Sequence, residues 1–580
     1  MKIKMQIKAL NFLYNLVKGG HCILPSAKPM FTAEKPESSF PEALPEQEGV
    51  RSEGLLNLFA ALSSDSRVNP HSAVIIRNGK LIARADWEPF SASYPHVSHS
   101  LAKTVTGMAV GIAVNEKYIS VNETLKDIFG SAGKHLKNTT IQHLLTMSSG
   151  AKFNEAGSLM SKNWVEDFLE SDVFFESGSA FNYNSMNSFM LSAALCKRTG
   201  ISLSEYVSRR LFTPMDIKKF YWEKCPSGIE KGGWGLYMSV MDYAKLGQLW
   251  LEEGKWSGIR LLPRDWVITA SKRHIFDEKI CRNGYGFQVW GGKYGIIFSG
   301  MFGQLVYVVP KEKMVIVLTA GSEQLFPCGG ALGYIESYLN DSGNFSSKPI
   351  TRFHYSEAAA LRRALSSAKF GQQLEFPSVG KSIFTRLKGL FQKSGVTPES
   401  VLDGVEITFE SNRANLLPLL IQIMEGCFGQ GLESVRFAAD NERMLMVFRA
   451  DKETVVIPIG FGRSEMFGYR NFNVGSEGFF TTDEDGYPVL KIQLCFVETS
   501  CTKILKFIFS ENGVTLKVRE NPVFYNAIDE ASAMISPELG EGMRKTFEAV
   551  LESDIAGYKI KNFMEPTING KYKLSTIMKK

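Results

Sequence analysis

What this chain lacks narrows its function before any motif is read. Eight cysteines are scattered over 580 residues, with no Cys-x-x-Cys pair and no histidines at zinc spacing beside them. A disulfide framework and a zinc module are therefore excluded as organising features, and buried reduced thiols are expected. No run is long and apolar enough to cross a bilayer, which takes about 20 apolar residues in a helix. The 66 basic and 60 acidic residues are mixed along the chain to a formal net charge of +6, without a Lys/Arg block interleaved with aromatics. A nucleic-acid groove is excluded on that ground. The opening "MKIKMQIKALNFLYNLVKGGHC" carries lysines ahead of a short apolar run, but Asn11, Asn15 and Lys18 interrupt it and no small-residue cleavage site follows. It reads as a short amphipathic helix rather than an export signal. A cytoplasmic location is the expectation, with export left open.

What is present suits two folded domains, because single cores stop growing near about 250–300 residues. Residues 1–45 read as an N-terminal helix and an extended leader rich in Pro, Glu and Ser. Residues 46–340 form the first domain. Within it, "HSAVIIRNGKLIARADW" places two β-branched runs around Asn78-Gly79, a strong hairpin signal. The segment "TVTGMAVGIAVNEKYI" is apolar on nearly every face and predicts a helix buried in the domain. "SMNSFMLSAALCKRTG" and "MSVMDYAKLGQLWLEEGKWSG" predict further helices closed by glycine. "IIFSGMFGQLVYVVPKEKMVIVLTAG" then returns to strands around a Pro-Lys-Glu-Lys turn. Strands before and after the helices predict one antiparallel sheet assembled from both ends of the domain and flanked by helices. Residues 341–400 read as a linker with helices, and 401–580 as a β-rich domain with runs such as "RMLMVFRA", "YPVLKIQLCFVET" and "KILKFIFSENGVTLKV". That domain carries no chemical motif. Nothing in the sequence sets the oligomeric state.

The chemistry gathers at "HVSHSLAKTVTG". Ser100 and Lys103 are one helical turn apart, so a lysine made neutral by burial could take the proton from the serine hydroxyl. The plain alternative for any Ser-x-x-Lys is a helix cap with a solvated lysine, and two further copies, Ser378 to Lys381 and Ser500 to Lys503, lack the buried helical context. "FNYNSMNSFML" offers Tyr183 as a second acid/base group, with Ser185 beside it. The plain alternatives are packing for Tyr183 and helix capping for Ser185. "FSGMFGQ" offers Gly300 and Gly303 on a strand whose backbone a substrate can approach closely. His96 and His99 have no third ligand at a recognisable spacing, so no metal site is expected. Core packing is the default for Trp234, Tyr237 and Trp290.

Ser-x-x-Lys, then Tyr-x-Ser, then a glycine-bearing strand, at separations of 83 and 117 residues, resembles the penicillin-recognising serine hydrolases, in particular the esterase and amidase group related to class C beta-lactamases. "IQHLLTMSSG", "GGWGLYMSVMDYAKLGQLW" and "NGYGFQVW" add to the resemblance, which spans about residues 46–340. It implies the α/β (α+β) transpeptidase-like fold, an antiparallel sheet with a helical subdomain and the site between them. It also implies Ser100 as the acyl-accepting nucleophile, Lys103 as its base, Tyr183 as general acid/base, and Ser185 in the place of the motif's third residue. The N–H groups of Ser100 and Met301, beside Gly300, would form the oxyanion hole. Where the family has Lys-Thr-Gly or His-x-Gly, this chain has Phe298-Ser299-Gly300, removing the cation that holds a substrate carboxylate. The expected activity is hydrolysis of small esters or amides through an acyl-enzyme, with no cofactor. The rivals are a penicillin-binding D,D-peptidase or beta-lactamase, and a silent binding protein of the same fold.

Overall fold

The computed structural model describes residues 28–34, 39–325 apart from 160 and 279–280, 330–370, 381–391, 397–522 apart from 411, 413, 426–430, 441–442 and 451–452, and 565–574. The expected N-terminal helix and the Ser378 motif start lie outside these residues. The described chain divides into two compact units, one ending at Phe370 and the other starting at Lys381.

In the first unit, β1 (Pro70–Arg77) and β2 (Lys80–Asp86) form the expected hairpin. Asn78 and Gly79 both take positive φ, 51° and 74°, as a two-residue primed turn requires. Short strands follow: β3 (His96–Val97), β4 (Tyr221–Trp222) and β5 (Leu236–Met238) make a three-stranded sheet, and β6 (Lys255–Trp256) with β7 (Ile259–Arg260) a small hairpin. Then come β8 (Ile275–Asp277), β9 (Cys281–Tyr285), β10 (Trp290–Gly291), β11 (Ile296–Gly300), β12 (Gln304–Val309) and β13 (Met314–Ala320). The main sheet has the order β2-β1-β13-β12-β11-β10-β9-β8, with every neighbouring pair antiparallel. The two ends of the domain meet at β1 and β13, in register from Ser72↔Thr319 to Arg77↔Met314.

Because β1, β12 and β13 are buried along their whole length, both faces of the sheet must be covered. Helices Ser52–Ser64, Ala331–Asn340 and Tyr355–Ser366 cover one face, placing Leu55, Leu58, Phe59, Ile335 and Leu361 on Ile75, Ile316 and Leu318. The last of these helices lies in the stretch read as a linker, and it packs on Ser52–Ser64 and β2. Helix Val240–Leu251 covers the other face. It approaches closely at Gly247, where a Cβ would stand 2.5 Å from Val315 Cγ1. The helix Ala102–Asn115 is buried from Ala102 to Ala113, as its apolar sequence predicts, and it packs on Ser185–Thr199. Phe31 of the leader is buried against Val97 and Tyr237.

In the second unit, β14 (Val405–Phe409), β15 (Leu432–Asp440), β16 (Arg443–Ala450), β17 (Glu453–Ile459), β18 (Glu465–Tyr469), β19 (Phe472–Thr482), β20 (Pro488–Phe496), β21 (Thr502–Ser510), β22 (Gly513–Asn521) and β23 (Thr567–Leu574) form one antiparallel sheet. Its order is β17-β16-β15-β14-β23-β22-β21-β20-β19-β18. Gly460, at the end of β17, bridges Glu477 of β19, and the Gly478 N–H donates to the Gly460 carbonyl at 2.8 Å. The sheet thus curls almost closed, which protects its edges. Lys503, from the third Ser-x-x-Lys copy, is buried on β21, where it pairs with Glu520 at 2.8 Å and donates to the Leu417 carbonyl at 3.1 Å. That lysine serves packing. Among the described residues no helix is long and apolar enough to cross a membrane, and Cys196, Cys225, Cys281, Cys495 and Cys501 form no disulfide.

Candidate active site

Ser100 lies in a one-turn 3-10 helix, His99–Leu101, that runs directly into Ala102–Asn115. Three residues on, the Lys103 side chain is 1% exposed and turns back toward the serine. Its Nζ is 2.8 Å from Ser100 Oγ, 2.8 Å from Ser185 Oγ and 2.8 Å from the Gly233 carbonyl oxygen. A carbonyl can only accept, so Gly233 holds one N–H. If Ser185 accepts a second, a neutral amine keeps its lone pair for the proton of Ser100. Burial lowers the Lys103 pKa to about 7, against a smaller opposing pull from Glu155, so the neutral form is accessible near neutrality.

Tyr183 precedes the helix Ser185–Thr199 and hydrogen-bonds Ser100. Burial, chiefly, raises its pKa, so the phenol keeps its proton. Its ring lies 4.9 Å from Lys103 Nζ and packs on Trp290 at 5.2 Å and Tyr285 at 6.3 Å between centroids. Trp290 therefore borders the tyrosine. Trp234 stacks on Trp164, and Tyr237 packs on Phe31.

Gly300 ends β11 against the nucleophile turn: a Cβ there would stand 2.2 Å from the Ser98 carbonyl oxygen. Only glycine allows this approach. Met301 follows in the turn Met301–Gly303. His99, one residue before Ser100, has φ 46°, and Phe302, one residue after Met301, has φ 61°. Their rings meet edge to face at 5.5 Å. Bulky residues at positive φ are costly and persist where the surroundings fix them; here they flank the serine and the strand end facing it. Gln304 holds the second turn, its Nε2 donating to the carbonyls of Met301, Phe302 and Ala320 at 3.1, 3.2 and 2.7 Å. Phe298 is buried edge-on against Trp250, so this position of the third motif supplies no charge. His96 hydrogen-bonds His71 at 3.0 Å.

The structure thus brings Ser100, Lys103, Tyr183 and Ser185 together, with Gly300 at the same turn. It adds residues that sequence reasoning missed. Gly233, Gln288 and Gln304 sat inside quoted signatures without a role, and Glu155, whose Oε1 accepts the Ser185 N–H at 2.7 Å, had no signal at all. Gln288 is 2% exposed. Its Nε2 donates to the Leu144 and Leu145 carbonyls at 3.1 and 3.0 Å, its Oε1 accepts from Ser188 Oγ at 2.5 Å, and its carbonyl accepts from Thr104 Oγ1 at 2.9 Å. Gln288→Leu leaves the Ser188 hydroxyl without its acceptor, while the Leu144 and Leu145 carbonyls keep the backbone N–H groups of Met147 and Gln288, so it is expected to cost about 1–3 kcal/mol of stability, measurable as a shift in a urea unfolding midpoint.

The first unit is also similar to known proteins. Residues 57–327 match the family model described as Beta-lactamase. An uncharacterized protein of Alkalihalophilus pseudofirmus is 24% identical over 292 residues, which are 42% of this chain and 82% of the relative. A Bacillus anthracis structure assigned provisionally as a 6-aminohexanoate-dimer hydrolase is 21% identical with TM-score 0.44, covering 57% of this chain and 92% of its own. EstCE1, described as a hydrolase with promiscuous acyltransferase activity, is 14% identical with TM-score 0.42, covering 50% and 98%. A penicillin binding protein from Bacillus halodurans is 17% identical with TM-score 0.39, covering 48% and 98%. Taken with the family match, the antiparallel sheet and its flanking helices give the first unit the beta-lactamase/transpeptidase-like fold.

Proposed function

We propose, from the match of residues 57–327 to the Beta-lactamase family model, that the protein is a serine hydrolase that cleaves small esters or amides through an acyl-enzyme at Ser100. The observation that carries this reading is the buried Lys103 amine, 2.8 Å from both Ser100 Oγ and Ser185 Oγ.

In the first step Ser100 Oγ attacks the substrate carbonyl and its proton passes to neutral Lys103. The oxyanion forms between the N–H groups of Ser100 and Met301. Tyr183 gives its phenolic proton to the departing alkoxide or amine, and the Lys103 ammonium, 4.9 Å from the tyrosine ring, returns the proton taken from Ser100 to the phenolate. Water then repeats the sequence in reverse on the acyl-enzyme and releases the acid. A buried Phe298 leaves the third motif without a partner for a substrate carboxylate, which favours uncharged acyl groups over penicillins and peptide termini.

Turnover of p-nitrophenyl butyrate set against that of a chromogenic cephalosporin tests the substrate class. Faster ester cleavage is expected. Much faster cephalosporin cleavage would sink the ester and amide reading in favour of a beta-lactamase. Within the same assay, Tyr183→Phe removes the proton donor and leaves the ring on Trp290, so kcat is expected to fall roughly 10²- to 10³-fold with KM little changed.

A further inference from the structure

Between the Ser-x-x-Lys helix and the Tyr-x-Ser helix, one short segment fastens the site from the side. The carbonyls of Ala151 and Phe153 accept from Asn184 Nδ2 at 3.1 and 2.9 Å, and Glu155 Oε1 accepts the Ser185 N–H at 2.7 Å. Three bonds from residues 151–155 thus fix the two residues that follow Tyr183. The Glu155 bond is charge-assisted and falls in the first turn of a 15-residue helix, where exposed N–H groups favour a carboxylate. Ser185 is in turn one of the three partners of Lys103 Nζ. Moving the Ser185 backbone would move the hydroxyl that shares the lysine.

Resting on the acyl-enzyme reading above, we propose that Glu155 is a positioning residue of the acylation centre, its carboxylate holding the Ser185 amide and presenting a negative charge to the Lys103–Tyr183 pair. Its role is to act through its neighbours, since it touches neither Ser100 nor Lys103 in the hydrogen bonds of the site. The titratable groups around Lys103 are His99 on the turn before it, Tyr183 and, behind the tyrosine ring, Tyr285 and Cys281. Among the described residues Glu155 is the carboxylate whose charge acts on both Lys103 and Tyr183. The sign follows from Coulomb attraction: a carboxylate favours the ammonium form of Lys103 and disfavours phenolate at Tyr183. Glu155 therefore offsets part of the burial that makes the lysine a base, and keeps the tyrosine a better-protected acid.

The test is the pH profile of kcat/KM for p-nitrophenyl butyrate in wild type, Glu155→Gln and Glu155→Ala, with intact-mass detection of the acyl adduct in each. Glutamine keeps an acceptor for the Ser185 N–H and loses the charge. Glu155→Gln is expected to shift the acid limb to lower pH, by about half a unit or more, with a modest loss at the plateau. Glu155→Ala loses the acceptor as well and is expected to lower the plateau roughly tenfold or more. Superimposable wild-type and Glu155→Gln profiles, with Ser100 still acylated, would overturn the inference. So would a lowered plateau in Glu155→Gln with an unmoved acid limb, which a merely structural residue would give. No adduct on wild-type Ser100 would overturn the acyl-enzyme reading itself, and this inference with it.

Discussion

Ser100→Ala is expected to lower kcat/KM for p-nitrophenyl butyrate by roughly 10⁴-fold or more, leaving only what binding and oxyanion stabilisation supply without a nucleophile. The size of the effect follows from the absence of any substitute. Among the hydroxyls around Lys103, Ser185 Oγ sits at the same 2.8 Å, but it opens the next helix and is not at the turn that Gly300 approaches. Removal of Ser100 Oγ leaves Lys103 with Ser185 and the Gly233 carbonyl, so the fold is expected to keep its melting temperature. Initial rates beside a thermal melt check both parts. Retained turnover in a folded variant would remove Ser100 from the reaction.

Lys103→Met is expected to cost roughly 10³- to 10⁴-fold in kcat/KM, the upper range for loss of a general base. Methionine fills the buried volume without a charge or a donor, so packing is retained while the base is lost. The wild-type pH dependence belongs to the same argument. Burial holds the folded pKa at about 7, well below the ordinary 10.5. The neutral, proton-accepting amine therefore prevails above about pH 7 and is lost as the pH falls through that value. The acid limb of kcat/KM should bend near 7 with a slope of one, about tenfold per unit, and should be missing from the residual activity of Lys103→Met. A limb that persists unchanged in the variant would assign it to another group.

The fold of the first unit was legible because its signals are local. Asn78-Gly79 names a primed turn, and an all-apolar segment before "NEKYI" names a helix with no solvent face. The site was legible in part for the same reason: Ser100, Lys103, Tyr183 and Ser185 sit at helix starts, where spacing encodes geometry. Glu155 and the Gly233 carbonyl were not legible, because a backbone acceptor has no residue signature and an isolated glutamate resembles any surface one. In the second unit, "RMLMVFRA" and "KILKFIFSENGVTLKV" announced strands, but β19 (Phe472–Thr482) contains Gly475 and Gly478, and β23 (Thr567–Leu574) reads "TINGKYKL". Glycines and lysines weaken strand propensity, and these strands gain their stability from pairing on both sides. β23 also lies between β14 and β22, a pairing no sequence pattern announces. The three Ser-x-x-Lys copies make the same point from the other side. Lys103 lies in a buried helix beside two hydroxyls, whereas Lys503 lies on a strand beside Glu520.

The most direct test of the account is the intact mass of the protein after brief exposure to p-nitrophenyl butyrate, run beside Ser100→Ala and followed by peptide mapping. The account requires a butyryl adduct on the peptide that holds Ser100, absent from the variant. Release of nitrophenol by wild type with the adduct on another peptide, or undiminished release by Ser100→Ala, would contradict it.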